Sequence, residues 1–352
     1  MSKSLKSNIS KIVFILFFGL IICFFIWSRL FIVSLLLVLF IDCISTQFLY
    51  KFLKRKLTKN TYTIIKYSTY LIFPIGLAIF FRIFIFEIYS IPSSSMERIL
   101  SKGEMIVINK LDYGPKMPNS ITEVPFGSLF SSEKTNDTTY NRLSGFEKIE
   151  RNDIIVFKSF KKNSSKKFIK RIIGLPGETI QIVNSNVSIN EQQQEELSTY
   201  VFDYITKDTK GFIAGKTYSN TEYKKLPLQV QQKITRNIHL PKTIVENIFP
   251  KEKVFDWTRD FYGPITIPKK GNTIQLTMEN IIFYEEAIAL ETQKTISIQN
   301  DIIYLDNEKI NSYTFLFNYF FVMGDNRHFS NDSRAIGFVP EYTIQGKLWF
   351  SF

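Results

Sequence analysis

Three strings separated by long intervals hold side chains able to do chemistry: "SIPSSSMERIL" (residues 90–100), "FIKRIIGLPGE" (168–178) and "FVMGDNRHFSNDSRAIGFVP" (321–340). The first offers Ser93, Ser94 and Ser95, each of which needs a base before it can attack a carbonyl. Taken alone, a serine-rich stretch after an apolar run reads as a linker, but the flanking Ile91, Met96, Ile99 and Leu100 need somewhere to pack. In the second string, strand alternation puts Phe168, Lys170 and Ile172 on one face and Ile169, Arg171 and Ile173 on the other. A lysine kept among apolar neighbours holds its proton weakly and can serve as a base near neutral pH. An edge-strand lysine reaching solvent is the alternative. The third string is a polar loop between apolar runs. It is either a solvated turn or a rigid loop, internally paired through Asp325, Arg327, Asp332 and Arg334, that supports a site built elsewhere.

Other chemistries are closed off by composition. Cys23 and Cys43 lie inside apolar segments, so the rest of the 352-residue chain has no thiol nucleophile, no Cys-ligated metal and no disulfide. His239 and His328 are the only histidines, too few for a His-rich metal site. The net charge of +12 does not mark a nucleic-acid binder, because residues 1–66 carry ten basic residues against the single acid Asp42. Positive charge gathered around apolar segments reads as membrane topology.

The elements that must position these residues begin with three apolar stretches, starting at Ile12, Leu30 and Leu71. A basic N-terminal tail and six basic residues between Lys51 and Lys66 place both ends of the first pair on the cytoplasmic side. A membrane hairpin turning near Trp27, Ser28 and Arg29 satisfies that parity, and a third crossing then carries the chain outward. A cleaved signal peptide is the alternative for the first stretch, but no small-residue cleavage pattern follows it. From Gly103 onward, short alternating runs such as "EMIVINKL", "DIIVFKSF" and "ETIQIV" predict strands joined by Gly, Pro and Asn turns. The stretch from about Glu191 to Gln299 is more polar and irregular and reads as an insertion.

Taken in order, the strings resemble the bacterial type I signal peptidases, or leader peptidases. The shared pattern is a membrane span, a Ser-Met segment, Lys-Arg leading into "GLPG", a variable insertion, then "GDNR", "DSR" and "GFVP". The resemblance implies a mainly β, membrane-anchored fold with an inserted subdomain, preceded by transmembrane helices. On this reading residues 1–66 are a membrane hairpin and basic cytoplasmic loop, and 67–89 the anchor. Residues 90–190 and 311–352 form the catalytic β core, and 191–310 the inserted subdomain. It implies Ser95 as nucleophile, Lys170 as general base, Ser93 as a side-chain donor to the oxyanion, and Ser330 as the hydroxyl that orients the lysine. Asp332 and Arg334 match a pair supporting the third loop, and Asp325 pairs with Arg171. Ser94 has no assigned chemistry.

The implied substrates are secreted preproteins whose signal peptides carry small residues at −3 and −1, cleaved without a metal or organic cofactor. Ile91, Met96, Leu100, Phe168 and Ile169 are candidates for the pocket walls. The implied setting is the bacterial inner membrane, multi-pass, with the catalytic part on the exterior or periplasmic side. The bilayer and the secretion translocon are expected partners, and nucleic acid is not. The chain departs from the family pattern at "MERIL", at "RND" where Arg-Gly-Asp is frequent, and at His328-Phe329 where Asp-Asn is common. A Ser-His mechanism through His328 is disfavoured because Lys170 already supplies a base. A non-catalytic β module that escorts secreted proteins is a competing reading, but it needs none of Ser93, Ser95, Lys170 and Ser330. A soluble self-cleaving repressor of related chemistry conflicts with the anchor.

Overall fold

The computed structural model describes residues 48–118, 141–161, 164, 166–207, 213–242, 247–251 and 255–352, with isolated positions 19, 38, 41, 42 and 124. The hairpin expected from the stretches at Ile12 and Leu30 lies outside the described residues, apart from isolated positions and the end of the second stretch. Two compact units are distinguished: Met1–Phe86 with Lys116–Leu143, and Glu87–Pro115 with Ser144–Phe352.

In the first unit, α1 (Phe48–Lys56) is followed by α2 (Lys59–Phe84). Thr58 caps α2 by accepting the Thr61 N–H, and no glycine or proline interrupts its first four turns. The helix therefore runs through Lys59–Lys66, which the sequence reading gave to a cytoplasmic loop, and it stops short of 89. At 26 residues it is long and apolar enough to cross a membrane. Its side chains Ile64, Leu71, Ile72 and Ile75 are exposed.

The second unit is built on strands β1 (Phe86–Ser90), β2 (Met105–Asn109), β3 (Ile154–Lys158), β4 (Lys167–Gly174), β5 (Thr179–Val183), β6 (Asn186–Ile189) and β7 (Gln192–Gln193). The chain continues through β8 (Val201–Lys207), β9 (Ile213–Ser219), β10 (Thr235–Arg236), β11 (Phe261–Thr266) and β12 (Thr273–Gln275). It ends with β13 (Ile296–Gln299), β14 (Ile302–Leu305), β15 (Glu308–Lys309), β16 (Ser312–Thr314), β17 (Tyr319–Met323), β18 (Val339–Pro340) and β19 (Ile344–Ser351). The main sheet has seven strands in the order β1-β2-β19-β3-β4-β17-β18. The mainly β expectation is met.

Strand β4 lies between two neighbours: Ile155 of β3 pairs with Lys170, and Met323 of β17 pairs with Arg171. Covered on both edges and rich in Ile, it is buried from Ile169 to Gly174. Gly177 closes the "GLPG" turn at φ 88°, which excludes most side chains.

The insertion is not a separate body. Its strand β11 pairs with β5 of the preceding segment, and Ile281, Tyr284 and Ile288 of the helix Ile281–Thr292 join the same apolar cluster as Ile173, Ile180 and Phe321. The stretch expected as an inserted subdomain at 191–310 supplies much of this core, through Phe202, Tyr262, Ile265, Ile303 and Leu305 among others, so apolar side chains scattered through a polar-looking sequence build a core shared with the flanking strands.

Candidate active site

Ser95 follows β1 in a turn held at both ends. The Ser94 carbonyl accepts from the Glu97 N–H at 3.1 Å and from Asn326 Nδ2 at 3.1 Å, and the Ser95 carbonyl accepts the Asn326 N–H at 3.0 Å. Ile91, Met96 and Leu100 anchor the turn in a cluster shared with Ile106, Ile108, Val156 and Ile169. The side chains flanking the serines thus have the packing that a flexible linker would lack.

Lys170 Nζ lies 2.7 Å from Ser95 Oγ and donates to the Ile169 carbonyl at 2.8 Å. Its side chain is buried, with no carboxylate in contact among the described residues. Burial pushes the ammonium down to about 8, against Asp332 and Asp325, whose charges favour the protonated form. The Ser93 hydroxyl is 3.3 Å from Ser95 Oγ. No described residue accepts the backbone N–H of Ser95.

Behind the pair, two arginines bind the neighbouring carboxylates. Arg171 Nε and Nη2 donate to Asp325 at 2.7 and 2.6 Å, and Nη1 donates to the Asn152 carbonyl at 2.8 Å. Arg334 Nε and Nη2 donate to Asp332 at 2.9 and 2.8 Å, and the Gly324 N–H donates to the same carboxylate at 3.1 Å. Burial opposes ionisation of Asp332, but Arg334 outweighs it and holds the carboxyl at about 2. Such bidentate buried pairs are directional, so they fix the loop's shape as well as its charge.

Ser330 is placed differently from the expectation. Its hydroxyl is buried and makes no hydrogen bond among the described residues, because the Lys170 amine is directed to Ser95 and the Ile169 carbonyl. Its own carbonyl accepts from Arg259 Nη1. Of the pocket candidates, Ile91, Met96, Leu100 and Ile169 sit together, whereas Phe168 packs on the other side with Phe157, ring centroids 5.4 Å apart.

Two residues that the sequence reading did not single out hold the loops together. Asn326 clamps the Ser94–Ser95 carbonyls. Gly324 approaches so closely that a Cβ there would lie 2.5 Å from the Ser95 carbonyl oxygen and 2.3 Å from Ser330 Oγ. The glycine before Asp325 was the available signal. The "RND" departure also has a structural reading: Asn152 adopts φ 73°, a left-handed conformation that asparagine tolerates better than most residues.

The family profile described as "Signal peptidase, peptidase S26" matches residues 64–256 and 316–352, well over half of the chain. The chain belongs to this signal peptidase family. The matched residues include Ser93, Ser95, Lys170 and the 321–340 loop, and they leave out 257–315. Relatives named Signal peptidase I include one from Buchnera aphidicola subsp. Schizaphis graminum, 27% identical over 86% of this chain and 84% of that protein. Another, from Haemophilus influenzae, is 29% identical over 80% and 68%. A crystal structure of a signal peptidase I from Enterococcus faecalis V583 covers 58% of this chain and 98% of that one. At 21% identity and a TM-score of 0.24, that overlap is too slight to bear on the fold. As a member of the peptidase family, the chain is a serine endopeptidase, and α2 is compatible with the membrane anchor of such enzymes.

Proposed function

We propose that the chain removes N-terminal signal peptides from secreted preproteins, with Ser95 as nucleophile and Lys170 as general base. The observation that carries this reading is a buried lysine amine 2.7 Å from a serine hydroxyl, with no carboxylate among the described residues in contact to keep it charged. A neutral amine has one lone pair and two N–H bonds. The lone pair takes the Ser95 proton as Oγ attacks the scissile carbonyl, and the Ile169 carbonyl receives one N–H. Lys170 then returns a proton to the leaving amine and activates water for deacylation. The Ser95 N–H and the Ser93 hydroxyl stabilise the oxyanion, where losing one donor typically costs about 3 to 4 kcal/mol. The second amine N–H is the direction in which Ser330 acts, once its hydroxyl turns toward Lys170.

Small residues at −3 and −1 fit this site because Ile91, Met96, Leu100 and Ile169 are packed nearly shut and leave little depth beside Ser95. The substrate approaches as an extended strand, and an anchored peptidase working at the outer membrane surface would meet cleavage sites as they emerge. Cleavage of a preprotein by the wild type, Ser95→Ala and Lys170→Ala in detergent or liposomes tests the assignment. Equal cleavage by all three sinks it.

A further inference from the structure

The chain has two histidines, 89 positions apart, and the fold brings both onto one carboxylate. The imidazoles of His239 and His328 stack with centroids 4.7 Å apart and planes 14° apart. His328 Nε2 lies 3.0 Å from Asp260 Oδ2 and 3.1 Å from Oδ1. One ligand atom from each of His239, Asp260 and His328 can be chosen so that all lie within 4.8 Å of one another. Asp260 and His328 are buried, while His239 is only partly so and leaves a side open to water.

We propose that His239, Asp260 and His328 form a binding site for a divalent transition-metal ion of the zinc class, a structural clasp separate from the Ser95–Lys170 pair. Two imidazoles, one carboxylate and a water make a four-coordinate set suited to such an ion. The carboxylate is held ready: Asp260 accepts the His239 N–H at 2.8 Å and the Ser185 hydroxyl, which orient it as supporting contacts orient metal ligands.

Two adjustments are needed to bind the ion. Tetrahedral ligands about 2.0–2.1 Å from zinc lie about 3.3 Å from one another, so the partly exposed His239 ring must swing inward. The Asp203 N–H now donates to His328 Nδ1 at 3.3 Å, which leaves the ring proton on Nε2, facing Asp260. Coordination through Nε2 moves that proton to Nδ1 of the same ring and forfeits a contact already at the long limit for a hydrogen bond.

The clasp would join three places. His239 lies beyond β10, Asp260 immediately precedes β11, and His328 lies two residues before Ser330. Arg259, adjacent to Asp260, already holds the Ser330 carbonyl. Asp260 falls in the 257–315 segment outside the family match, whereas His239 and His328 lie within it, so the site bridges matched and unmatched segments.

The test uses the full chain in detergent, stripped with a chelator and titrated with Co²⁺ or Zn²⁺ alone. One equivalent should bind the wild type, with the visible bands of a low-symmetry Co²⁺ site and a rise in melting temperature on Zn²⁺ addition. His239→Gln, which removes the partly exposed ligand, should bind at least 10-fold more weakly while its metal-free melting temperature stays near that of the wild type. Asp260→Asn should bind no metal at the site, and Ser95→Ala should bind like the wild type. An aqueous-type Co²⁺ spectrum in the wild type, or equal binding by His239→Gln, overturns the proposal.

Discussion

Two buried lysines in the second unit differ in one neighbour. Lys110, just past β2, lies 2.8 Å from Glu87, whose carboxylate also reaches Lys167 at 3.3 Å. Lys170 on β4 has a hydroxyl and a backbone carbonyl instead. Burial lowers both ammonium groups, but at Lys110 the Glu87 charge pulls back, whereas Lys170 falls to about 8. The two carboxylates nearest in influence to Lys170, Asp325 and Asp332, are each occupied by their own arginine. Arg171 and Arg334 therefore do more than brace a loop: they withhold from Lys170 the counter-ion that makes Lys110 an ordinary ion-pair lysine.

The largest test of this contrast is catalytic. Ser95→Ala and Lys170→Met should each lower preprotein cleavage by about 10⁴-fold or more, as loss of a nucleophile or its base does in serine peptidases. Lys110→Met should leave cleavage by the fraction that remains folded within a few-fold. Initial rates normalised to folded protein measure both. A Lys110→Met enzyme as impaired as Lys170→Met would erase the distinction.

Next in size is Gly324→Ala. The added Cβ would meet the Ser95 carbonyl and Ser330 Oγ well inside contact distance, so the polar loop must withdraw from the turn that carries Ser95. A displacement of about 1 Å at a reacting group can cost about 100-fold, and cleavage should fall by at least that much. A far-UV spectrum unchanged from the wild type would show that the fold survives. Unchanged cleavage would mean that the loop does not set the position of Ser95.

Much of the site was legible in the sequence, and the limits of legibility are physical. Ser95 and Lys170 stand in short strings whose neighbours carry the pattern, and the alternation around Lys170 already implied an apolar environment. The clamp by Asn326 and the close approach of Gly324 were not legible, because they are contacts between a turn near residue 95 and a loop more than 200 positions later. The convergence of His239 and His328 on Asp260 was hidden for the same reason, and two histidines counted along the chain looked too few for a site. The insertion was less legible because its core side chains, such as Phe202, Tyr262, Ile281 and Leu305, are scattered among polar residues and show no clean period.

The same two lysines should move stability in opposite directions. Lys170 binds its proton below about 8 in the folded chain and below the ordinary lysine value of 10.5 when unfolded. Between these values the unfolded chain holds more protons, so this group's contribution rises with pH and is least favourable below about 8. Lys170→Met should therefore stabilise the protein at pH 7 by up to about 3 kcal/mol, an advantage that shrinks toward pH 10.5. Lys110→Met should destabilise it, toward the low end of the about 3–5 kcal/mol for breaking a buried pair, since Lys167 still faces Glu87. Denaturant midpoints at pH 7 and pH 10 measure both signs. The pH-rate profile of the wild type should show an essential base near 8, and activity only above pH 10 would contradict a desolvated Lys170 base.

The smallest expected effect is at Asn152, whose left-handed turn aims its carbonyl at Arg171 Nη1. Glycine adopts φ 73° without a side-chain penalty of about 1–2 kcal/mol but has more backbone freedom to lose, about 0.5–1 kcal/mol. Asn152→Gly should thus gain about 0.5 kcal/mol, seen as a higher denaturant midpoint with the base still near 8. Asn152→Val, β-branched and poorly suited to that conformation, should lose about 2 kcal/mol. If the turn opens, Arg171 gives up one acceptor, Asp325 is held less firmly, and its charge draws the Lys170 base upward. A valine variant that is less stable but keeps the wild-type pH profile would show that the arginines insulate Lys170 without help from this turn.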